Sequence, residues 1–428
     1  MNTRFYNARV LTMNKSTSVI DDGEVLVKGG SIAYAGDSAG AKKAARGLKF
    51  DREIDANGNL VMPGFKDAHT HSAMTFLRTD ADDLPLDRWL NDSVFPREAK
   101  LTGEDIYHCT KLAVLEYLTS GITTIGEMYM HPYDISRATE EMGMRMVLCG
   151  GMNNFSQSIE EQEEWFNNLN NKDSLTSYRL GLHAEYTSSK ELIGALSDLA
   201  HKLEAPVYLH NSETKGEVEG CRERYNATPT EFMDSLGLFD YGGTSYHCVY
   251  LTENDMDIIK KRNISVVTNP ASNLKLASGI APIKAIADKG INIGIGTDGP
   301  ASNNCLDMFR EMFLTTALSK LKEEDASVMD ANKVLEMAIG GGARAMGLDD
   351  VDCLAEGKRA DLIMIDLHQP NMRPFNNITK NLAYSGSKSN VKLTMINGEI
   401  LYEDGKFTEK YYVDEIYEEV QKVIERVR

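Results

Sequence analysis

Apolar and polar residues alternate over short runs at both ends of the chain, whereas the middle alternates long apolar runs with segments of helical period. Near the start, residues 9–13, 24–28 and 31–34 read as strands, the last two separated by Gly29-Gly30. Near the end, residues 361–367 read as a strand. Val391–Ile396, the dipeptide Asn397-Gly398 and residues 399–402 read as a hairpin, since Asn-Gly suits the two positive φ angles of a type I′ turn. The two ends therefore predict one small β-sandwich domain, assembled from residues 1–60 and 351–410. A final amphipathic helix over Val413–Val427 belongs to a C-terminal segment of residues 411–428.

Between these halves, apolar β-type runs fall at residues 60–68, 122–128, 144–148, 179–184, 206–210, 245–250, 264–268 and 291–297. Helix-period segments separate them. The clearest covers residues 101–120, where Thr102 and Asp105 form a capping-box start and Gly121 a stop. Eight strands alternating with helices predict an α/β fold, a distorted (β/α)8 TIM barrel over residues 61–350, in preference to an open doubly wound sheet. Residues 153–177 are polar and long for a connection, so part of this segment is expected to form a helix over a pocket.

Composition narrows the function. The chain has 428 residues, 42% of them hydrophobic, and a net charge of −18. Such an acidic surface repels phosphate backbones and argues against nucleic-acid partners, though not against a nucleoside. No apolar run is long enough to span a membrane, and Met-Asn-Thr-Arg-Phe at the start lacks an apolar leader core. Cys109, Cys149, Cys221, Cys248, Cys305 and Cys353 are scattered with no C-x-x-C pair, which reads as reduced thiols in the cytoplasm.

The candidate chemistry lies at the strand ends. His69 and His71 finish the first middle strand, and alternation along a strand points both imidazoles to one face. His210 ends the fifth strand with Glu213 three residues on, His247 lies in the sixth, and Asp298 ends the eighth in Gly-Ile-Gly-Thr-Asp-Gly. Any one of these alone would read as a satisfied core or surface residue. Together they fall where a barrel carries its active site, which makes the set a metal site. Three imidazoles and a carboxylate suit one divalent ion, Zn²⁺ first, with Fe²⁺, Mn²⁺ or Co²⁺ as alternatives. Such an ion lowers the pKa of a bound water toward ~7. Hydrolysis by that water also needs a proton delivered to the group under attack, and the H-x-x-E spacing places Glu213 to deliver it.

The arrangement resembles the amidohydrolase superfamily, more narrowly the methylthioadenosine/S-adenosylhomocysteine deaminases and their chlorohydrolase-like relatives. Four stretches carry the resemblance: Pro-Gly-Phe-Lys-Asp-Ala-His-Thr-His-Ser-Ala-Met from Pro63, Ala-Asp-Asp-Leu-Pro-Leu from Ala81, Asn-Pro-Ala-Ser-Asn-Leu-Lys-Leu from Asn269, and Gly-Thr-Asp-Gly-Pro-Ala-Ser-Asn-Asn from Gly296. It implies metal ligands at His69, His71, His210 and Asp298, with Asp298 also accepting a proton. It implies a proton-shuttling acid at Glu213 and an orienting histidine at His247. Around the substrate it implies His183 near the heterocycle, Trp89 walling the far end of the pocket, and Glu98 on the ribose hydroxyls. It also implies a homo-oligomer. Two departures stand out. Where members often have His-Ala-Pro-Tyr, this chain reads His183-Ala184-Glu185-Tyr186, which puts Glu185 near the pocket. Where some members that take S-adenosylhomocysteine have an arginine, this chain has Gly150. The expected substrate is therefore adenosine, 5′-deoxyadenosine or 5′-methylthioadenosine, ahead of S-adenosylhomocysteine. A free base, a pterin or a chlorotriazine on the same scaffold is the alternative. A non-catalytic metal-bound scaffold is disfavoured because every ligand is kept, and a cytidine-deaminase site is disfavoured because the H-x-E…P-C-x-x-C signature is missing.

Overall fold

The computed structural model describes residues 1–80, 82–84 and 88–428. At the start of the chain lie β1 (Asn2–Leu11), β2 (Val19–Lys28), β3 (Ser31–Asp37), β4 (Arg52–Asp55) and β5 (Leu60–Pro63). The middle supplies β6 (Phe65–Thr70), β7 (Ile122–Met128), β8 (Arg145–Cys149), β9 (Thr176–Ala184), β10 (Val207–Asn211), β11 (Gly243–His247), β12 (Ile264–Thr268) and β13 (Ile293–Ile295). The end adds β14 (Leu362–Ile365), β15 (Val391–Ile396), β16 (Glu399–Glu403) and β17 (Lys406–Phe407).

Strands β6 to β13 pair in parallel, each with its sequence neighbour, in one eight-stranded sheet. The ring closes just past β13, where the Asp298 N–H donates to the His69 carbonyl at 2.9 Å. The Thr297 N–H and hydroxyl reinforce the seam by donating to the Asp67 carboxylate at 2.8 and 2.5 Å. Inside the barrel, Ala68, Met128, Val147, Tyr208, Tyr246 and Val267 pack into one buried cluster, so the interior is a filled core.

The chain ends build a separate nine-stranded mixed sheet in the order β17-β16-β15-β14-β5-β1-β2-β3, with β4 on β1. Its two halves meet where β14 pairs antiparallel with β5. Phe5, Val25 and Val27 from one half and Leu362, Leu393 and Met395 from the other share a second core. The hairpin turn has φ +50° at Asn397 and +78° at Gly398, as a type I′ turn requires.

The single run expected over residues 60–68 is two strands in two sheets. Gly64 separates them, packed so closely on Thr123 that a Cβ there would overlap its side chain. The helix Gly103–Thr119 starts on the Thr102/Asp105 capping box, and Gly121 follows its end at φ +72°. The last helix, Val413–Val427, lies against it, with Lys100 bonding the Val427 carbonyl at 2.9 Å. The polar 153–177 segment contains the helix Ile159–Leu169. No described helix is long and apolar enough to cross a membrane.

Candidate metal centre and substrate pocket

The candidate residues converge at the C-terminal mouth of the barrel. His69 ends the inward face of β6, and His71 follows the strand. His210 comes from β10, His247 ends β11, and Asp298 follows β13. Ligand atoms of His69, His71 and His210 lie within 4.8 Å of one another, as do those of His69, His247 and Asp298. Asp298 Oδ1 is 3.2 Å from His71 Nε2 and 3.7 Å from His69 Nε2.

Surrounding residues fix how each ligand is presented. His71 Nδ1 meets the Met128 carbonyl at 2.5 Å, and His210 Nδ1 meets the His183 carbonyl at 2.7 Å. A carbonyl can only accept, so both rings carry a proton on Nδ1 and turn Nε2 inward, the nitrogen left to face a metal ion. Asp298 is used on both oxygens. Oδ2 accepts from the Ser272 and Ser302 hydroxyls at 2.5 and 2.9 Å, and Oδ1 from the Gly299 N–H at 2.8 Å. His69 lies flat on Tyr246, ring centres 3.8 Å apart, and neither of its buried ring nitrogens has a hydrogen-bond partner.

Electrostatics point the same way. Burial, reinforced by neighbouring imidazoles, holds His69 and His210 well below the ordinary histidine range. Burial also lowers His71, but the Asp298 carboxylate outweighs it and raises the ring to about 9. Burial alone would raise Asp298, yet His71 holds it far below the usual carboxylate range. In effect His71 and Asp298 trap one positive charge among imidazoles that must stay neutral. Two neutral rings at His69 and His210, an ionised carboxylate, and a positive charge held at His71 that a metal ion can replace together fit one divalent cation.

Glu213 sits on the loop after β10. Its Oε1 accepts from the Ser278 hydroxyl at 3.2 Å, and its Oε2 is 3.9 Å from His247 Nε2. The loop is held from below by Glu217, which accepts the N–H groups of Ser212 and Glu213 at 2.9 and 2.7 Å. Burial and the nearby Glu213 push Glu217 up to about 8. Across the site, Glu127 on β7 accepts the Ser72 N–H with both oxygens, at 3.0 and 2.9 Å, and also takes the Ser72 hydroxyl, so it clamps the residue after His71. Sequence reasoning missed Glu127, Glu217, Asp67 and Tyr246. Only Glu217 had a local signal, as the last residue of the capping box that begins at Thr214.

The outer pocket is less uniform. Trp89 and Glu98 are both buried, on the π-helical turn Trp89–Val94 and the helical turn Phe95–Glu98 that follows it. Tyr129 donates its hydroxyl to Glu98 and lies 6.3 Å, ring to ring, from His71, so this carboxylate stands one side chain away from the ligand set. Burial raises Glu98 to about 7, against the pull of the Tyr129 bond. His183, 5.0 Å from His210 ring to ring, bonds Thr187 and is lowered by burial to about 4. The Glu185 carboxylate is engaged elsewhere, 2.7 Å from Arg224 on the helix Lys215–Tyr225. A side chain at Gly150 would overlap Gln162, whose amide is locked between the N–H and carbonyl of Gly181. Of the stretch that begins at Ala81, Asp82 is held by Lys275 and Asn304, while Ala81, Pro85 and Leu86 lie outside the described residues.

The sequence profile of the amidohydrolase family matches residues 60–401. The chain belongs to the amidohydrolase family. Similarity runs through the whole amidohydrolase, small sheet included. It is 40% identical over 403 residues to a 5-methylthioadenosine/S-adenosylhomocysteine deaminase of Desulforamulus reducens, covering 93% of this chain and 92% of that one. It is 34% identical over 435 residues to a 5′-deoxyadenosine deaminase of Methanococcoides burtonii, covering 98% of each. A solved adenosine deaminase from Xanthomonas campestris, with bound zinc, matches with a TM-score of 0.94 at 31% identity, over 100% of this chain and 98% of that one.

Proposed function

We propose that this amidohydrolase hydrolytically removes the amino group of adenine nucleosides, releasing ammonia and the inosine analogue. The observation that carries the reading is the pair of buried features on one barrel mouth. One is the ligand set His69, His71, His210 and Asp298, and the other is the carboxylate of Glu98, one aromatic ring away. The relatives named as deaminases of adenosine-type nucleosides support the same chemistry.

A divalent ion held by the four ligands, zinc by the character of the donors, would supply water activation at neutral pH. The remaining work belongs to the protein. Glu213 carries a proton from the attacking water to the ring nitrogen beside the amino-bearing carbon. Addition of water at that carbon breaks the ring's aromaticity, Asp298 takes the second proton of the water, and the C–N bond breaks as the amino group leaves as ammonia with that proton. His247 orients the attacking water. Glu98 accepts the 2′- and 3′-hydroxyls of the ribose, Trp89 walls the pocket, and His183 lies beside the heterocycle. Gly150 and the locked Gln162 leave no cation at that position for an amino-acid tail. The favoured substrates are therefore adenosine, 5′-deoxyadenosine and 5′-methylthioadenosine, with S-adenosylhomocysteine poorer.

The test is ammonia release from the zinc-loaded enzyme across these nucleosides, S-adenosylhomocysteine, guanine and pterins. Turnover of guanine or a pterin, with every adenine nucleoside ignored, would show the reading to be wrong.

A further inference from the structure

Where His71 and His210 set their Nδ1 against backbone carbonyls, His247 sets its own against a side chain. Its Nδ1 lies 2.8 Å from the Asn273 side-chain oxygen, and both residues are buried, at 1% and 2% exposure. Asn273 is rigidly mounted. Its N–H donates to the Asn269 carbonyl at 2.9 Å, and its own carbonyl accepts the Ser278 N–H at 2.9 Å. His247 is rigid too, although its backbone is strained. Its φ is +65° and that of Cys248 is +52°, left-handed values that side-chain-bearing residues seldom adopt. The strain is held by Cys248 N–H on the Asn211 carbonyl at 3.1 Å and Tyr250 N–H on the Ser212 carbonyl at 2.9 Å. Such a turn aims the ring across the site, with Nε2 3.9 Å from Glu213 Oε2.

That separation is informative. A protonated Nε2 would be drawn to the carboxylate, within hydrogen-bonding distance. An unprotonated Nε2 and a carboxylate oxygen are both acceptors, and 3.9 Å leaves them apart. We propose that Asn273 is a positioning residue that holds the His247 proton on Nδ1, so that Nε2 faces the reacting centre only as a hydrogen-bond acceptor. Free imidazole has no such bias toward Nδ1–H, and without Asn273 the proton moves to Nε2, where it bonds Glu213. The attacking water then loses the acceptor that orients it, and Glu213 loses the freedom to shuttle its proton. The consequence for turnover rests on the deaminase reading, but the tautomer itself does not.

The protein offers nine histidines, and a His247→Gln sample identifies the His247 signals by difference. Long-range ¹H–¹⁵N spectra of the zinc-loaded protein without substrate report each tautomer directly. The wild type is expected to show His247 as Nδ1–H. Asn273→Asp, which keeps an acceptor, should retain that form, and Asn273→Leu should convert it to Nε2–H. In turnover, Asn273→Leu should lower kcat by at least about tenfold with KM little changed, and Asn273→Asp should restore most of the loss. Wild-type His247 found as Nε2–H overturns the proposal, and so does an unchanged tautomer or an unchanged kcat in Asn273→Leu. Should Asn273→Leu not fold, the wild-type and Asn273→Asp spectra still decide. A wild-type Nδ1–H tautomer in a protein that deaminates no adenine nucleoside upholds the role of Asn273 and removes the deaminase reading instead.

Discussion

His69 brings two buried ring nitrogens to the site with no protein partner, whereas His71 and His210 are each pinned by a carbonyl. It therefore depends most on the ion and should be the most damaging ligand to lose. His69→Ala is expected to lose both metal and turnover, read by elemental analysis of the purified protein; full metal content would remove it from the ligand set. Glu213 is different in kind, because its oxygens meet Ser278 and approach His247. Glu213→Gln should keep the metal and the fold while losing roughly 10²–10⁴-fold in kcat, the size expected of a lost proton shuttle. Glu98 carries a pH dependence. Burial raises it to about 7, so the carboxyl is protonated below that pH and cannot accept two hydroxyls at once. The value of kcat/KM for adenosine should rise with pH through about 7, and the Glu98 part of that rise should vanish in Glu98→Gln. Adenosine should also outrun 2′-deoxyadenosine by a margin that Glu98→Ala narrows, since an unmatched buried carboxylate is costly. An equal pH rise in Glu98→Gln, or equal rates on the two nucleosides, argues against the diol clamp. The candidate ligands could be picked from the chain because they stand at strand ends, and Glu213 by its spacing from His210, whereas Glu98 comes only from the family resemblance and sits on a helical turn that its sequence does not mark as part of a site. Glu185 shows where such reading stops: its partner Arg224 lies 39 positions away and no local pattern links them.

Among the elements, those with strong local chemistry were legible. The Thr102/Asp105 cap, the Asn397-Gly398 turn and the last helix each follow from a few adjacent residues. Strand ends at the site were less so. The apolar run at 245–250 suggests a strand through Tyr250, but β11 stops at His247, where the backbone turns left-handed. Ser212 and Asp298, just past β10 and β13, turn the same way at φ +52° and +59°. Hydrophobicity carries no trace of such turns, because tertiary hydrogen bonds impose them. Gly64 is the other joint, and the run read as one strand over 60–68 carries its signal in the Pro63-Gly64 dipeptide, a turn marker that apolar patterning alone passes over. Gly64→Ala should cost roughly 1–3 kcal/mol by forcing Thr123 aside, measured by denaturant unfolding, with the metal site intact in the folded fraction. A loss near zero would mean the joint has slack that the contact with Thr123 denies.

For the whole molecule, two of the four ligand positions, His69 and Asp298, are also the barrel seam. His69 offers its imidazole to the site and its carbonyl to the Asp298 N–H, so an ion bridging the two side chains also fastens the first strand to the last. Chelation should therefore lower thermal stability as well as activity, by about 3–4 kcal/mol when the free ion had stood 100–1,000-fold above its dissociation constant. Calorimetry with and without chelator checks this, and coincident curves would uncouple the ion from the seam. The small sheet has a further consequence, for synthesis. Strand β5 finds its partner β14 only after some 300 further residues have been made, and β14 is the bridge to everything that follows it in the sheet. On a ribosome adding ~5–20 residues per second, the β1–β5 half must wait on the order of 15–60 s with one edge open and its core half built. That edge, rather than the barrel, is where a nascent chain is most exposed to wrong strand partners and where a chaperone has most to shield.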